Sequence, residues 1–99
     1  MTHVVIKTHE AEEDLLDIGE FIAIQSNSLE IGEQFIDRIN KAIELLATQP
    51  HMGAARDDLE TGLRFHPFEN YLIFYRPTDS GIEVARVLHS KRNVESIFH

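Results

Sequence analysis

Apolar residues recur at helical spacing in the first half of this chain and at strand spacing in the second. Ala11, Leu15, Ile18 and Ile22 follow one another at intervals of 4, 3 and 4, which places them on one face of an amphipathic α-helix. Thr8 precedes this stripe and is the predicted N-cap, because its hydroxyl can accept an orphan N–H of the first turn. Glu10, Glu12, Glu13 and Asp14 follow, where carboxylates interact favourably with the helix dipole. Ser26-Asn27-Ser28 interrupts the pattern and caps a second helix, whose stripe is Phe35, Ile39, Ala42 and Leu46, flanked by Ile36 and Ile43. That helix stops near Thr48, because Pro50 pushes Gln49 out of helical geometry. The spacing predicts helices over about residues 9–26 and 28–48, joined by about three residues and therefore antiparallel.

Strand signals surround this hairpin. The β-branched run His3–Thr8 predicts an opening strand. Leu63–Phe68 and Tyr71–Arg76 flank Glu69-Asn70, a two-residue loop of hairpin type. Thr78-Asp79-Ser80-Gly81 then turns the chain into Ile82–His89. Ser90 to Phe98 predicts one or two further helical turns. The fold class is α+β: an N-terminal strand, an antiparallel helical hairpin packed on one face of a small, mainly antiparallel sheet, and a short C-terminal helical segment. Ile18, Ile22, Phe35, Ile39, Ala42, Leu46, Ile73 and Val84 or Val87 are the expected core. Gly53 and Gly62 read as turn residues that permit positive φ.

Ninety-nine residues, 42% of them hydrophobic, predict one domain over residues 1–99. Such a chain buries roughly 60–70% of its unfolded surface, enough for one core with little stability to spare. There is no cysteine, hence no disulfide and no thiol nucleophile. A basic-then-apolar leader is absent and no apolar run approaches the ~20 residues of a membrane span, so a cytoplasmic protein with no membrane partner is expected. The net charge of −8 is unevenly spread: residues 1–50 hold three bases against ten acids, residues 51–99 six against seven. Phosphate affinity depends on Lys and Arg, so this balance argues against general nucleic-acid binding and leaves room only for a local anion site.

Arginines inside the strands are the candidate chemistry. Arg64 shares a face with His66; in a regular strand Arg86 shares one with Val84 and Leu88, and His89 points the other way. Arg64 and Arg86 are then expected to converge on the face the helices leave open, a bidentate site for a carboxylate or phosphate. The bland alternative pairs them with Glu69, Asp79, Glu83 or the acidic helices. Tyr71, Ile73 and Tyr75 alternate with Leu72, Phe74 and Arg76, so this strand is apolar on both faces. One face fills the core, and the other either meets a partner or packs under the C-terminal segment. The six histidines have no metal-ligand spacing, and no serine sits in a nucleophile elbow.

Read in order, the second half gives Pro50-x-x-Gly53-x-x-Arg56-x-x-Leu59-x-x-Gly62-x-Arg64, then Tyr71-Leu72-Ile73-Phe74-Tyr75, then Ile82-x-Val84-x-Arg86-Val87-Leu88-His89-x-x-Arg92-Asn93. Placed after two amphipathic helices, this pattern resembles the ParE/RelE superfamily, toxins of type II toxin–antitoxin pairs. RelE-like members cut messenger RNA on the ribosome without a metal, whereas ParE-like members inhibit DNA gyrase by binding it. The acidic balance, the lack of a tyrosine after Tyr75 and the Leu88-His89-x-x-Arg92-Asn93 run resemble the ParE branch. That resemblance implies a non-catalytic gyrase inhibitor, neutralised by a ParD-like antitoxin encoded next to it and assembled with it in a hetero-oligomer. The alternatives are a RelE-like endonuclease, with His66, His89 or His99 as acid or base, and a non-toxic binding module of the same fold. Arg64, Tyr75, Arg86, His89, Lys91 and Arg92 are the expected partner-binding residues, with no catalytic residue, metal ligand or cofactor. Apolar area beside the sheet or on the helical hairpin is the expected docking surface.

Overall fold

The structure, a computed structural model, describes residues 3–98. After strand β1 (Val4–Lys7) come helices α1 (His9–Ser26) and α2 (Leu29–Thr48), strands β2 (Ala54–Ala55), β3 (Arg64–Phe68), β4 (Tyr71–Pro77) and β5 (Gly81–His89), and a single helical turn, α3 (Val94–Ile97). The helix ends follow the local chemistry. Thr8 Oγ1 accepts the N–H of Ala11 at 3.0 Å and donates to the carbonyl of Ala85 at 2.8 Å, so the cap of α1 is also a tie to β5. Ser28 caps α2 through the N–H of Ile31, while Asn27, at φ 54°, closes α1 in the left-handed conformation. His99, one of the candidate acid–base histidines, lies outside the described residues.

The sheet has the order β1-β5-β4-β3-β2. Neighbours pair antiparallel except β1, which runs parallel to β5 with Val4 opposite Gly81 and Lys7 opposite Val84. A Cβ at Gly81 would strike the carbonyl of Val4, so the close approach of β1 requires glycine there. Strand β2, two residues long, was beyond the reach of any periodicity; Ala54 and Ala55 pair with Phe65 and Arg64.

Both long helices cover one face of the sheet. Leu15, Ile18, Phe35, Ile39, Ile43 and Leu46 pack there against Tyr71, Ile73, Tyr75, Ile82, Val84 and Val87, with Ile22 and Ala42 partly buried at the margin. The opposite face carries a smaller cluster in which Leu63, Phe74, Ala85, Leu88 and Val94 are buried, with Leu59, Phe65, Ile97 and Phe98 against it. The second face of β4 thus packs under the C-terminal segment: the Phe74 ring lies 5.0 Å from that of Phe98 and 6.0 Å from that of Phe65.

A register shift separates the two ends of the β4–β5 ladder. Tyr75 pairs with Val84 and Phe74 with Arg86, which leaves Ala85 as an extra residue on β5. Such a bulge breaks the alternation of side chains. Val84 therefore joins the helix-side core while Ala85 and Leu88 join the opposite cluster. Arg86 does not share a face with Val84, as a regular strand would require.

Candidate functional site

The two strand arginines do not converge. Arg64 pairs across the ladder with Tyr75, which packs into the helix-side core, and Arg86 pairs with Phe74, which packs into the other. Cross-strand partners share a face, so the two side chains leave the sheet from opposite faces. Each is also committed within the chain. Arg64 Nη1 donates to the carbonyls of Gly53 at 2.6 Å and His51 at 3.3 Å, anchoring the loop that leaves α2. Arg86 donates through Nε and Nη2 to the two carboxylate oxygens of Asp14 on α1, at 2.8 and 2.9 Å. This hydrogen-bonded pairing raises the Arg86 pKa further above its ordinary value. Pairing with the acidic helices, the bland alternative, is what Arg86 does.

Tyr75 has no surface to offer a partner, being 0% exposed. Its hydroxyl donates to the carbonyl of Pro50 and accepts the N–H of Gly53, both at 2.8 Å. A Cβ at Gly53 would come within 2.5 Å of that oxygen. Gly53 is thus needed for space, whereas Gly62 has the positive φ, 81°. Burial pushes the Tyr75 phenol above its usual range, and that of Tyr71 likewise.

His89, Lys91 and Arg92 lie together where β5 ends. The His89 ring stands edge-on to Tyr71 at 5.4 Å, and its Nδ1 accepts the N–H of Lys91 at 3.2 Å. Lys91 and Arg92 are exposed, and among the described residues neither side chain takes part in an ion pair. Of the expected partner-binding residues, these two cations are free to meet another molecule. Arg76 holds Glu60 and Glu83, and Arg56 holds Asp58. Among the described residues no group of three or more His, Asp or Glu side chains could hold a metal ion.

A wide concavity lies elsewhere, between α1 and α2. It is an open cleft of about 1230 Å³, lined by Leu15, Leu16, Gly19, Ala23 and Ile24 of α1 and by Leu29, Gly32 and Ile36 of α2. At its floor the helices come close: a Cβ on Gly32 would lie 2.6 Å from the carbonyl oxygen of Gly19. Leu16, Ile24 and Leu29 are 73%, 68% and 72% exposed along it. Glu12, Glu20, Glu33 and Asp37 rim the cleft, and Lys7 is the one base among its lining residues. An apolar trough with an acidic rim fits an amphipathic segment with basic flanks. The sequence points to the hairpin as a docking surface without marking these residues. Their signal is a second periodicity, Leu29-Gly32-Ile36 at 3 and 4 alongside Leu16-Gly19-Ala23 at 3 and 4, in which the glycines hide the apolar face.

No helix of the described residues is long and apolar enough to cross a membrane. Comparison with known proteins agrees with the architecture. The family model described as the ParE toxin of the type II toxin–antitoxin system parDE matches residues 5–94. Toxin ParE1 of Mycobacterium tuberculosis is 36% identical over 65 residues, 65% of this chain and 66% of that protein. Toxin ParE1 of Caulobacter vibrioides is 29% identical over 86 residues, 87% of this chain and 88% of its own length. Among solved structures, a chain of the chromosomal ParDE toxin–antitoxin system of P. aeruginosa has the same fold, with a TM-score of 0.74 at 19% identity over 88% of this chain and 95% of that one. The family match runs from within β1 to the first residue of α3, and the chain belongs to the ParE toxins of type II toxin–antitoxin systems.

Proposed function

We propose that this ParE-family chain acts by binding alone, inhibiting DNA gyrase with no bond made or broken, and that a ParD-like antitoxin encoded beside it holds it inactive. The observation that carries the non-catalytic reading is the fate of Arg64 and Arg86. Cleavage of RNA requires a base, an acid and cations gathered around one phosphate. Here the two arginines best placed in sequence leave the sheet from opposite faces, spent on carbonyls and on Asp14. The free cations, Lys91 and Arg92, are suited to meet the target.

The antitoxin is assigned to the cleft between α1 and α2. A disordered tail that folds on binding would bury Leu16, Ile24 and Leu29 and set its basic flanks against the acidic rim. The test adds the purified chain separately to a gyrase supercoiling reaction and to translating ribosomes. Supercoiling is expected to fall, to fall less with Arg92→Ala, and to recover when the product of the neighbouring small reading frame is added. Messenger cleavage abolished by replacing His66 or His89, with supercoiling untouched, would overturn the reading in favour of a RelE-like ribonuclease.

A further inference from the structure

The cleft does not stop at the helices. Lys7, Glu12 and Asn40 line it and also line a smaller recess of about 640 Å³ that continues past Val5 and Glu44. At this junction Oδ1 of Asn40 is buried without a hydrogen-bond partner among the described residues. Buried polar atoms are normally satisfied, and leaving one unpaired destabilises the fold. Asn40 stands between Ile36 and Ile43, at 4 and 3 spacing, where the stripe calls for an apolar side chain. Leucine, of similar size, would fill the position without that penalty.

We propose that Asn40 and Glu12 form a polar gate that reads one arginine on the antitoxin segment, an inference that rests on the docking reading above. Asn40 Oδ1 and the Glu12 carboxylate are acceptors, and once the half-buried Asn40 amide turns its oxygen into the cleft it lines, a planar guanidinium can donate to both at once. A carboxylate from the partner would face Glu12 and leave Oδ1 unpaired. The acids on the rim outnumber Lys7 four to one, so a cation is the residue the cleft favours. The gate would fix the register of a segment whose apolar contacts alone allow it to slide.

The probe is a display library of amphipathic helical peptides of the length of α2, 20 residues, with each polar position drawn from Arg, Lys, Gln and Glu. It is selected on the parent chain, on Asn40→Leu, on Glu12→Gln and on Leu29→Asp. One position is expected to become fixed as arginine on the parent, and its replacement by glutamine to weaken binding by about tenfold. That preference should vanish on Asn40→Leu, whose melting temperature equals or exceeds the parent's, and fade on Glu12→Gln. Peptides that bind the cleft with no arginine preference, or the same preference on Asn40→Leu, would overturn the gate and leave the docking reading standing. A lowered melting temperature of Asn40→Leu would make Asn40 a structural residue and equally overturn it. Should no peptide bind, or should Leu29→Asp bind as well as the parent, the docking reading falls and the gate with it.

Discussion

Asp14 on α1 and Arg86 on β5 meet through two parallel hydrogen bonds, and the same carboxylate accepts the backbone N–H of Val87 at 2.9 Å. Strand β1 accompanies β5 only as far as Val84, so beyond it Asp14 takes the place of a neighbouring strand. Asp14→Ala strips three hydrogen bonds, two from the half-buried Arg86 guanidinium and one from the N–H of the buried Val87, and an expected loss of about 2–4 kcal/mol follows. Chemical denaturation measures the loss, and faster amide exchange at Val87 locates it.

Tyr75→Phe removes the link between β4 and the loop after α2. The buried N–H of Gly53 and the carbonyl of Pro50 each lose their partner, at a cost of about 1–3 kcal/mol. The same hydroxyl predicts a pH dependence. Burial raises the folded-state pKa of Tyr75 and Tyr71 above 10.0, so above that pH the unfolded chain releases protons that the folded chain keeps. Stability is complete below the unfolded value and declines as pH rises through the window above it. Urea midpoints measured across this range should fall in the parent and fall less in Tyr75→Phe.

Gly32→Ala and Gly19→Ala separate two kinds of contact. The first pushes a methyl group to 2.6 Å from the backbone oxygen of Gly19, which cannot move aside; the second meets the Ile36 side chain at 3.0 Å, which can. Overpacking costs about 1–3 kcal/mol where nothing yields. Gly32→Ala is expected to fall in that range and to weaken partner binding by spreading the helices, and Gly19→Ala to stay near the parent in a thermal melt.

Replacing Leu16 or Leu29 by glutamine should leave stability within about 0.5 kcal/mol, since both side chains are exposed. Binding of the antitoxin should nevertheless weaken, as titration calorimetry would show, and self-association of the isolated toxin should decrease.

The helices were plain in the sequence because their stripes, caps and stop are local: Thr8, Ser28 and Pro50 act within a few residues of themselves. The strands from β3 to β5 were equally legible from their turns. Faces were not. A bulge at Ala85 carries no composition signal of its own, yet it alone moves Arg86 away from the face of Val84. Tyr75 illustrates the same limit from the other side. Its strand was seen to be apolar on both faces, but its burial depends on Gly53 and Pro50 folding back over it, a contact between residues 22 and 25 positions away.

The parallel pairing of β1 with β5 also sets a clock. The ribosome delivers β1 before any other strand, and its neighbour in the sheet is the one made after all the rest. Until β5 has emerged, the β4–β5 ladder does not exist and the helix-side core lacks the part of its floor that Ile82, Val84 and Val87 supply. Contacts that span so much chain form late, whereas α1 and α2 meet through a two-residue connection. Under the proposed docking between those helices, the residues that would receive the partner, from Lys7 to Asn40, all lie in the part of the chain made before the sheet can close.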